Sequence, residues 1–563
     1  MTLNRRALLL ASAGSPWLPA NATGRAPHIH SRAPDPMTPM TPINIEERSL
    51  AELRADMGAG RVDSQRLVAA YTARIEALDR HGPSLASVLE LNPDAPAIAR
   101  ALDSERRSKS LRGPLHGLPI LIKDNIDTHD RMATTAGSLA LVGSRPTEDA
   151  FVVQRLRAAG AVILGKTNLS EWANIRSRHS SSGWSARGGL TRNPYALDRS
   201  ASGSSSGSAV AVAASLCAAA VGTETDGSIL SPSSVCGIVG LKPTVGLISR
   251  SGIVPIAHSQ DTAGPMARNV RDCALLLGAL TGADPRDAAM QGDAGRGLRD
   301  YAAALDAGAL KGARLGVARQ FFGFHDGVER AFVPVLAALE RAGAVLVDPV
   351  TLPAFDTVGD AELTVLLYEL KADLNAYLQR LGPNAPVKGL AEVIAFNDRH
   401  AARELKWFGQ DLFIKSQAKG PLTDAAYLEA RALCLRVARD EGIDAVLREH
   451  RLDALIAPTG GPAWVSDLVL GDHYVGGGST SPAAVAGTPS ITVPAALVHG
   501  LPVGLSFFAQ AWSEARLLGL AYAFEQATNA RRAPRYLASV GSVSEGLRCV
   551  NASEQDRPGH PLE

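Results

Sequence analysis

The sequence predicts an α/β protein, and three of its segments carry that prediction. Residues 118–122 are an unbroken apolar run, typical of a strand that is buried on both faces of a sheet. Residues 151–160 have the period of an amphipathic helix, and a short apolar strand follows at 161–165. Strand-like runs return near the other end, at 454–457, 490–493 and 503–507.

The composition indicates one large catalytic domain with an appended region. The chain has 563 residues, and no Pro/Gly-rich linker divides it. Its 57 basic and 56 acidic residues give a formal net charge of +1. The chain therefore lacks the excess of basic residues that is typical of a nucleic-acid-binding protein, and we expect no nucleic-acid partner.

The two ends of the chain differ from the rest. Arg5 and Arg6 precede the apolar run 7–11, so residues 1–30 resemble a twin-arginine export signal and predict a periplasmic or secreted protein. The alternative is a tail of a cytoplasmic protein. Residues 541–563 are rich in Gly, Ser, Pro and Glu, and we expect a poorly ordered tail there.

The five cysteines predict buried thiols. Their number is odd, and their positions show no metal-ligand spacing. They are Cys217, Cys236, Cys273, Cys434 and Cys549.

Small residues dominate the segment 202–243, which is the most informative stretch of the chain. Its apolar part, 209–221, is shorter than the roughly 20 residues that a bilayer requires and is predicted to be a buried helix, so we expect no membrane span. Hydroxyls beside glycines that allow close backbone approach suit a nucleophile with neighbouring N–H donors. The glycines are Gly203, Gly207, Gly222 and Gly227, and the serines are Ser204, Ser205, Ser206 and Ser228.

Two other interpretations of the serine-rich turn stay open at this point. A flexible linker is one, although a core helix without charges follows directly. The other is the G-x-S-x-G turn of an α/β-hydrolase, with Ser205 as nucleophile. That motif needs a strand running into it, and residues 191–202 have no β-branched run.

Lys123 directly follows the predicted strand at 118–122. A lysine at a strand end is ordinarily a surface cation, because Lys is seldom buried without a partner. Burial would instead favour the neutral amine and allow the side chain to accept a proton.

Several motifs together resemble the amidase signature family, over about residues 45–535. They are GLPILIKDNID around Lys123, GSSSGSAVAVAA around Ser204, GTETDGSI around Ser228, and GIVGLKPTVGLISR directly after it. The resemblance implies a large mixed central β-sheet covered by helices on both faces. The pattern of residues 358–450 itself predicts several long helices, which form an added helical region. Trp407, Phe408 and Phe413 of that region could line the substrate pocket or form a helix–helix core.

The resemblance also implies site residues. Ser228 would be the nucleophile, Ser204 a bridging serine on a cis peptide bond after Gly203, and Lys123 the base. The oxyanion hole would be formed by backbone N–H groups of Thr225, Asp226, Gly227 and Ser228, with Gly203 and Ser205 supporting the site. No cofactor, metal or obligatory protein partner is implied.

The departures from the common family pattern resemble one branch, the bacterial peptide amidases. Asp226 stands where the family usually has glycine, and its carboxylate would repel a developing oxyanion nearby. The segments KTNLSEWAN, SGWSARGG and TRNPY also match that branch. The expected activity is hydrolysis of the C-terminal carboxamide of peptides, with a peptide amide or a small molecule as substrate.

Other activities remain possible from the sequence. They are hydrolysis of small aliphatic or aromatic amides, the role of the A subunit in a tRNA-dependent amidotransferase, an α/β-hydrolase esterase, and an amide-binding protein without catalysis. Ser416 and Lys419 match an S-x-x-K motif, but the K-T-G that should follow it is missing.

Overall fold

The computed structural model describes residues 43–541, except 291–296, 299 and 383–384. The predicted export signal at 1–30 and residues 542–563 of the predicted tail lie outside the described residues. Within the described ranges, no helix has the length and apolarity needed to cross a membrane.

An eleven-stranded mixed sheet forms the centre of the protein, in the order β1-β3-β2-β6-β8-β7-β12-β13-β11-β9-β10. β2 is parallel to β3 and β6, and β9 is parallel to β10 and β11, while the remaining pairs are antiparallel. A separate hairpin joins β4 and β5. The strands are β1 Val88–Leu91, β2 Pro119–Lys123, β3 Val162–Thr167, β4 Trp184–Ser185, β5 Gly189–Leu190, β6 Ala219–Glu224, β7 Val239–Lys242, β8 Thr262–Ala267, β9 Arg314–Ala318, β10 Val345–Val350, β11 Ala454–Pro458, β12 Ser490–Val498 and β13 Leu501–Phe508.

Helices pack against this sheet, which confirms the predicted α/β class with a large mixed sheet. The helix α5 contacts β2 and β6, and α16 contacts β12 and β13. The helices are α1 Leu50–Gly58, α2 Ser64–Ile75, α3 Ala95–Arg107, α4 Phe151–Ala158, α5 Ser206–Ala213, α6 Leu230–Val235, α7 Val270–Leu280, α8 Asp326–Arg341, α9 Gly359–Arg380, α10 Leu390–Arg399, α11 Ala401–Glu404, α12 Asp411–Gln417, α13 Ala425–Leu435, α14 Asp444–His450, α15 Ser481–Ala486 and α16 Glu514–Thr528.

The strand that ends in Lys123 lies inside the sheet. All five residues of β2 are buried, because strands pair with both of its edges and helices cover it. The apolar side chains that favour a strand there also exclude water from the lysine at its end.

The segment 209–221 is helical only as far as Ala213, so the prediction of one continuous helix there is wrong. Helix α5 ends at Ala213, and the chain reverses through Ser215, whose φ is +55°, before β6 begins at Ala219. The whole segment is buried. A continuous apolar run cannot by its period distinguish a buried helix from a buried strand, and here it forms one of each.

The region 358–450 is largely helical, as its sequence pattern predicted, and contributes to a second apolar cluster. Side chains of α9, α10 and α12 pack there with Trp172 and with residues 254–257. Phe413 contacts Trp172 edge to face at 5.6 Å, and Phe408 contacts Trp184 in the same manner at 5.3 Å. These two phenylalanines therefore belong to the packing between the helical region and the loop that precedes α5.

Candidate active site

Lys123 lies at the carboxyl end of β2 and is fully buried. Its Nζ atom is 2.7 Å from Ser204 Oγ, 2.8 Å from Thr223 Oγ1 and 3.2 Å from the Thr223 carbonyl oxygen. Burial lowers the pKa of the Lys123 amine to about 7, against the opposing effect of the acidic groups Glu224 and Asp261. The interpretation as a surface cation is therefore wrong, and near neutral pH a large fraction of the amine is uncharged.

The peptide bond between Gly203 and Ser204 is cis, as the resemblance implied. The Ser204 carbonyl oxygen accepts a hydrogen bond from the Ser170 N–H at 3.1 Å. A Cβ atom on residue 203 would lie 2.1 Å from Ser170 Oγ and 3.3 Å from Asn174 Nδ2. A side chain at residue 203 would therefore displace Ser170, because the loop after β3 lies against the serine-rich turn.

Ser228 lies on the loop between β6 and α6, beside the serine-rich turn. The Ser205 N–H donates to the Ser228 carbonyl oxygen at 3.1 Å, which fixes the two segments against each other. Ser228 is 8% exposed, whereas Ser204 is fully buried. Within the described part of the chain, the hydroxyls of Ser204 and Ser228 are not hydrogen-bonded to each other in this conformation.

The loop 225–228 is anchored on several sides. Thr225 Oγ1 donates to Asp261 at 2.6 Å, and Thr480 Oγ1 donates to Asp226 at 3.0 Å. Glu224 accepts hydrogen bonds from the N–H groups of Ile229 at 2.7 Å and Leu230 at 3.0 Å. Side chains thus hold the loop in place at Thr225, at Asp226 and directly after Ser228.

The N–H groups of Asp226, Gly227 and Ser228 donate to no acceptor within the part of the chain that the structure describes. Gly227 has a φ of +75°, a conformation that favours glycine, and a Cβ atom there would lie 2.9 Å from Thr480 Oγ1. Successive backbone donors beside a hydroxyl are the arrangement that an oxyanion hole needs. The Asp226 side chain is occupied by Thr480 rather than by these N–H groups.

Ser205 does not have the environment of a nucleophile. Its hydroxyl donates to the Thr223 carbonyl oxygen at 3.0 Å and accepts from the Thr223 N–H at 3.2 Å, and the residue is fully buried. These bonds tie the start of α5 to β6. They argue against Ser205 as the nucleophile of an α/β-hydrolase.

Ser416 and Lys419 of the S-x-x-K match have ordinary contacts. Ser416 is fully buried, and its hydroxyl donates to the Leu367 carbonyl oxygen at 2.6 Å. The Lys419 amine lies 5.0 Å from the ring centre of Tyr368. Neither contact links the two side chains to each other, so the match has no support as a catalytic site.

Four further residues of the site did not emerge from the sequence. Thr223 accepts from Lys123 and from Asn125, whose Nδ2 is 2.9 Å from Thr223 Oγ1. Gln260 Nε2 reaches both the Thr225 carbonyl oxygen, at 3.3 Å, and Glu362 Oε1, at 2.9 Å. Thr223 stands inside the GTETDGSI motif and Asn125 inside GLPILIKDNID, so those two had a signal in the sequence.

A cavity of about 270 Å³ borders the site on the side of Thr223 and Thr225. Asn125 and Asp261 line it, and helix α9 contributes Tyr377 among others. The lining stops short of Ser204 and Ser228, both of which are described. The helical region therefore supplies part of the wall beside the candidate catalytic groups.

His258, Glu369 and Asp373 are close enough together to be considered as metal ligands, with ligand atoms within 4.8 Å of one another. His258 Nδ1 already pairs with Asp373 Oδ2 at 2.9 Å, which raises the pKa of the imidazole. Glu369 accepts from the Ser259 N–H at 3.0 Å and from the Tyr427 hydroxyl at 2.8 Å. The protein's own groups thus satisfy this cluster.

The four described cysteines, at 217, 236, 273 and 434, are free and buried, as predicted. Burial raises the pKa of the Cys217 thiol to about 12. Such thiols are poor nucleophiles. Cys549 lies outside the described residues.

Known proteins resemble this chain over most of its length. The model of the family described as Amidase matches residues 66–518. The crystal structure of the native peptide amidase from Stenotrophomonas maltophilia superposes with a TM-score of 0.84, at 53% identity, covering 88% of this chain and 99% of that one.

Proteins known from their sequences are also similar to this chain over most of its length. A protein from Arabidopsis thaliana named as a probable amidase is 40% identical over 507 residues, covering 88% of this chain and 93% of that protein. The A subunit of the glutamyl-tRNA(Gln) amidotransferase of Chloroflexus aurantiacus is 36% identical over 500 residues, covering 86% and 97% respectively. The chain belongs to the amidase signature family, has the fold of the peptide amidase, and is a hydrolase that acts on amides.

Proposed function

We propose that this enzyme hydrolyses the C-terminal carboxamide of peptides to the free acid and ammonia, with Ser228 as nucleophile, Ser204 as proton relay and Lys123 as base. The observation that carries the chemistry is the buried Lys123 amine, 2.7 Å from Ser204 Oγ. The identity of 53% to a peptide amidase over 99% of that chain supports the substrate class.

The first half of the reaction forms an ester. The neutral Lys123 amine takes the Ser204 hydroxyl proton while Ser204 takes the proton of Ser228, and Ser228 Oγ attacks the carboxamide carbon. The negative charge that develops on the carbonyl oxygen is stabilised by N–H groups of the loop 225–228, each worth on the order of a hundredfold or more. When the intermediate collapses, the proton returns through Ser204 to the amide nitrogen, and ammonia leaves.

The second half hydrolyses the ester. Water attacks the acyl carbon and gives its proton to Ser204 and Lys123, the same N–H groups stabilise the second oxyanion, and Ser228 recovers its proton as the acid leaves. A covalent intermediate divides a difficult amide hydrolysis into two easier steps. Ser204 is needed because Lys123 is bonded to Ser204 and Thr223 and makes no direct hydrogen bond to Ser228.

Labelling with a fluorophosphonate, followed by peptide mapping, tests the nucleophile. We expect the adduct on Ser228 in the wild-type enzyme and in Ser205→Ala, and none in Ser228→Ala. Turnover of Ser228→Ala should fall by at least about 10⁴-fold. An adduct on Ser205 would overturn the assignment.

A second candidate role is that of the A subunit in an amidotransferase, because one such protein is 36% identical over 97% of its length. That role would make glutamine the ammonia source. The purified chain should separate the two candidates, since we expect it to release ammonia from an N-acetyl dipeptide amide without any partner and faster than from glutamine.

A further inference from the structure

The helical region contacts the candidate oxyanion loop through Glu362 and Gln260. Glu362 lies in the first turns of helix α9, and its Oε1 accepts a hydrogen bond from Gln260 Nε2 at 2.9 Å. The same nitrogen donates to the Thr225 carbonyl oxygen at 3.3 Å. The carboxyl groups of Glu362 and Asp226 are also within hydrogen-bonding reach of each other.

The Thr225 carbonyl and the Asp226 N–H belong to the same planar peptide group and point in opposite directions. Holding the carbonyl on Gln260 therefore fixes the direction of the Asp226 N–H, which is one of the candidate oxyanion donors. Glu362 holds Gln260 in turn. The orientation of a donor on the catalytic loop thus depends on a side chain of helix α9.

Two carboxyl groups in contact hold together only if they share a proton, because two carboxylates repel each other. Burial and the neighbouring Asp226 raise the pKa of Glu362 to about 8, and burial also raises the pKa of Asp226. A pair that shares one proton keeps one negative charge. Thr480 Oγ1 donates a hydrogen bond to Asp226 at 3.0 Å and stabilises that charge.

We propose that protonated Glu362 is a positioning residue of the reaction: by sharing its proton with Asp226 and holding Gln260, it keeps the oxyanion loop in the orientation that stabilises the transition state. Loss of this proton places two carboxylates side by side and releases the loop. The inference rests on the proposed role of the loop 225–228 in hydrolysis at Ser228. It also explains how an aspartate is tolerated next to a developing oxyanion.

Other titratable groups face the pair from neighbouring elements. Lys242 at the end of β7 and Glu224 at the end of β6 interact with Asp226, as does Tyr474. Cys434 of α13 interacts with Glu362. Lys242 is the main competitor for an effect at alkaline pH, because burial lowers its pKa to about 8.

The test is the dependence of kcat on pH for the wild type, Glu362→Gln, Glu362→Ala and the control Asp360→Asn. Glutamine donates an N–H as the protonated acid does but cannot lose it. Asp360 is an exposed carboxylate on the same helix. For the wild type and the control we expect kcat to fall about tenfold per pH unit above about pH 8. For Glu362→Gln we expect kcat within about twofold of wild type at pH 7.5 and no alkaline decline.

Glu362→Ala should lower kcat by about 10-fold to 100-fold with KM little changed, because the lost contact acts in the transition state. If Glu362 had only a structural role, Glu362→Gln and Glu362→Ala would lower kcat alike. A wild-type profile that is flat from pH 8 to 10, or an alkaline decline that persists in Glu362→Gln as Lys242 would cause, overturns the proposal. If Glu362→Gln does not fold, two measurements still test the role of Glu362. They are the wild-type pH profile and the kinetics of Gln260→Ala, for which we expect a lower kcat without a higher KM.

The proposed nucleophile can fail independently. Ser228→Ala, assayed in the same series, would stay active if Ser228 were not the nucleophile, and this would overturn the proposed function. An inactive Ser228→Ala together with an unchanged alkaline decline in Glu362→Gln would overturn only the role of Glu362.

Discussion

At the scale of single residues, the proposed role of Lys123 as the base predicts how the activity changes with pH. The base must be neutral, and burial lowers the pKa of its amine to about 7, so protons compete with catalysis below that value. We predict that kcat/KM rises about tenfold per pH unit below about pH 7 and levels off between about pH 7 and pH 8. The measurement is kcat/KM for one amide substrate between pH 5 and 8.

The variants Lys123→Met and Lys123→Arg identify the group that titrates. Methionine removes the amine, and arginine keeps a charge that cannot be lost near neutral pH. Both should lower kcat/KM by at least about 10³-fold and abolish the ionisation near pH 7. A Lys123→Arg enzyme that kept wild-type activity with the same acid limb would show that another group is the base.

Ser205 gives a stability prediction at the same scale. Its hydroxyl bonds both the N–H and the carbonyl of Thr223 inside the core. Ser205→Ala removes both bonds, leaves the Thr223 carbonyl with only its contact to Lys123 Nζ among side chains, and should destabilise the fold by about 1–3 kcal/mol. Urea unfolding followed by circular dichroism measures this loss, and a change below about 0.5 kcal/mol would contradict the structural role of the hydroxyl.

At the scale of elements, helix α5 can pack only with glycine at residue 207. A Cβ atom there would lie 2.3 Å from the Ser87 carbonyl oxygen and 2.5 Å from that of Asn168. Backbone atoms of neighbouring segments cannot move aside cheaply, so Gly207→Ala should destabilise the protein by about 2 kcal/mol or more.

Gly519 is the matched control, because it also lies in a helix, α16. A Cβ atom there would meet only Ala309 Cβ at 3.6 Å, an ordinary contact. Gly519→Ala should therefore be neutral or stabilise by up to about 1 kcal/mol, since alanine favours the helix. Equal urea midpoints for the two variants would contradict this account of how α5 packs.

Helices and strands could be predicted where the pattern of apolar residues fits only one type of secondary structure. Residues 118–122 are apolar without a break and form most of β2, and the amphipathic period at 151–160 corresponds to α4, Phe151–Ala158. The segment 209–221 failed because an apolar run suits both a buried helix and a buried strand.

The candidate site divides in the same way. Lys123, Ser204 and Ser228 stand in motifs, so their neighbourhood could be expected from the sequence. Gln260 and Glu362 could not be found, because they reach the loop from the segment that leads into β8 and from α9, and nothing in the sequence gives the packing of those segments.

At the scale of the whole molecule, the proposed substrate is the terminal carboxamide of a peptide. Hydrolysis of this group needs a pocket that closes just beyond the NH₂ leaving group, with an open cleft for the rest of the peptide. Contacts along that cleft contribute binding energy to the transition state, so a longer substrate should react faster than a small amide.

Ammonia release from a panel of amides, with the products identified by mass spectrometry, distinguishes a peptide amide from a small amide as the substrate. We predict a higher kcat/KM for an N-acetyl dipeptide amide than for acetamide or benzamide, and no internal cleavage of the matching N-acetyl tripeptide with a free carboxylate. Faster hydrolysis of acetamide or benzamide would contradict the peptide substrate, and cleavage of an internal peptide bond would contradict the closed pocket.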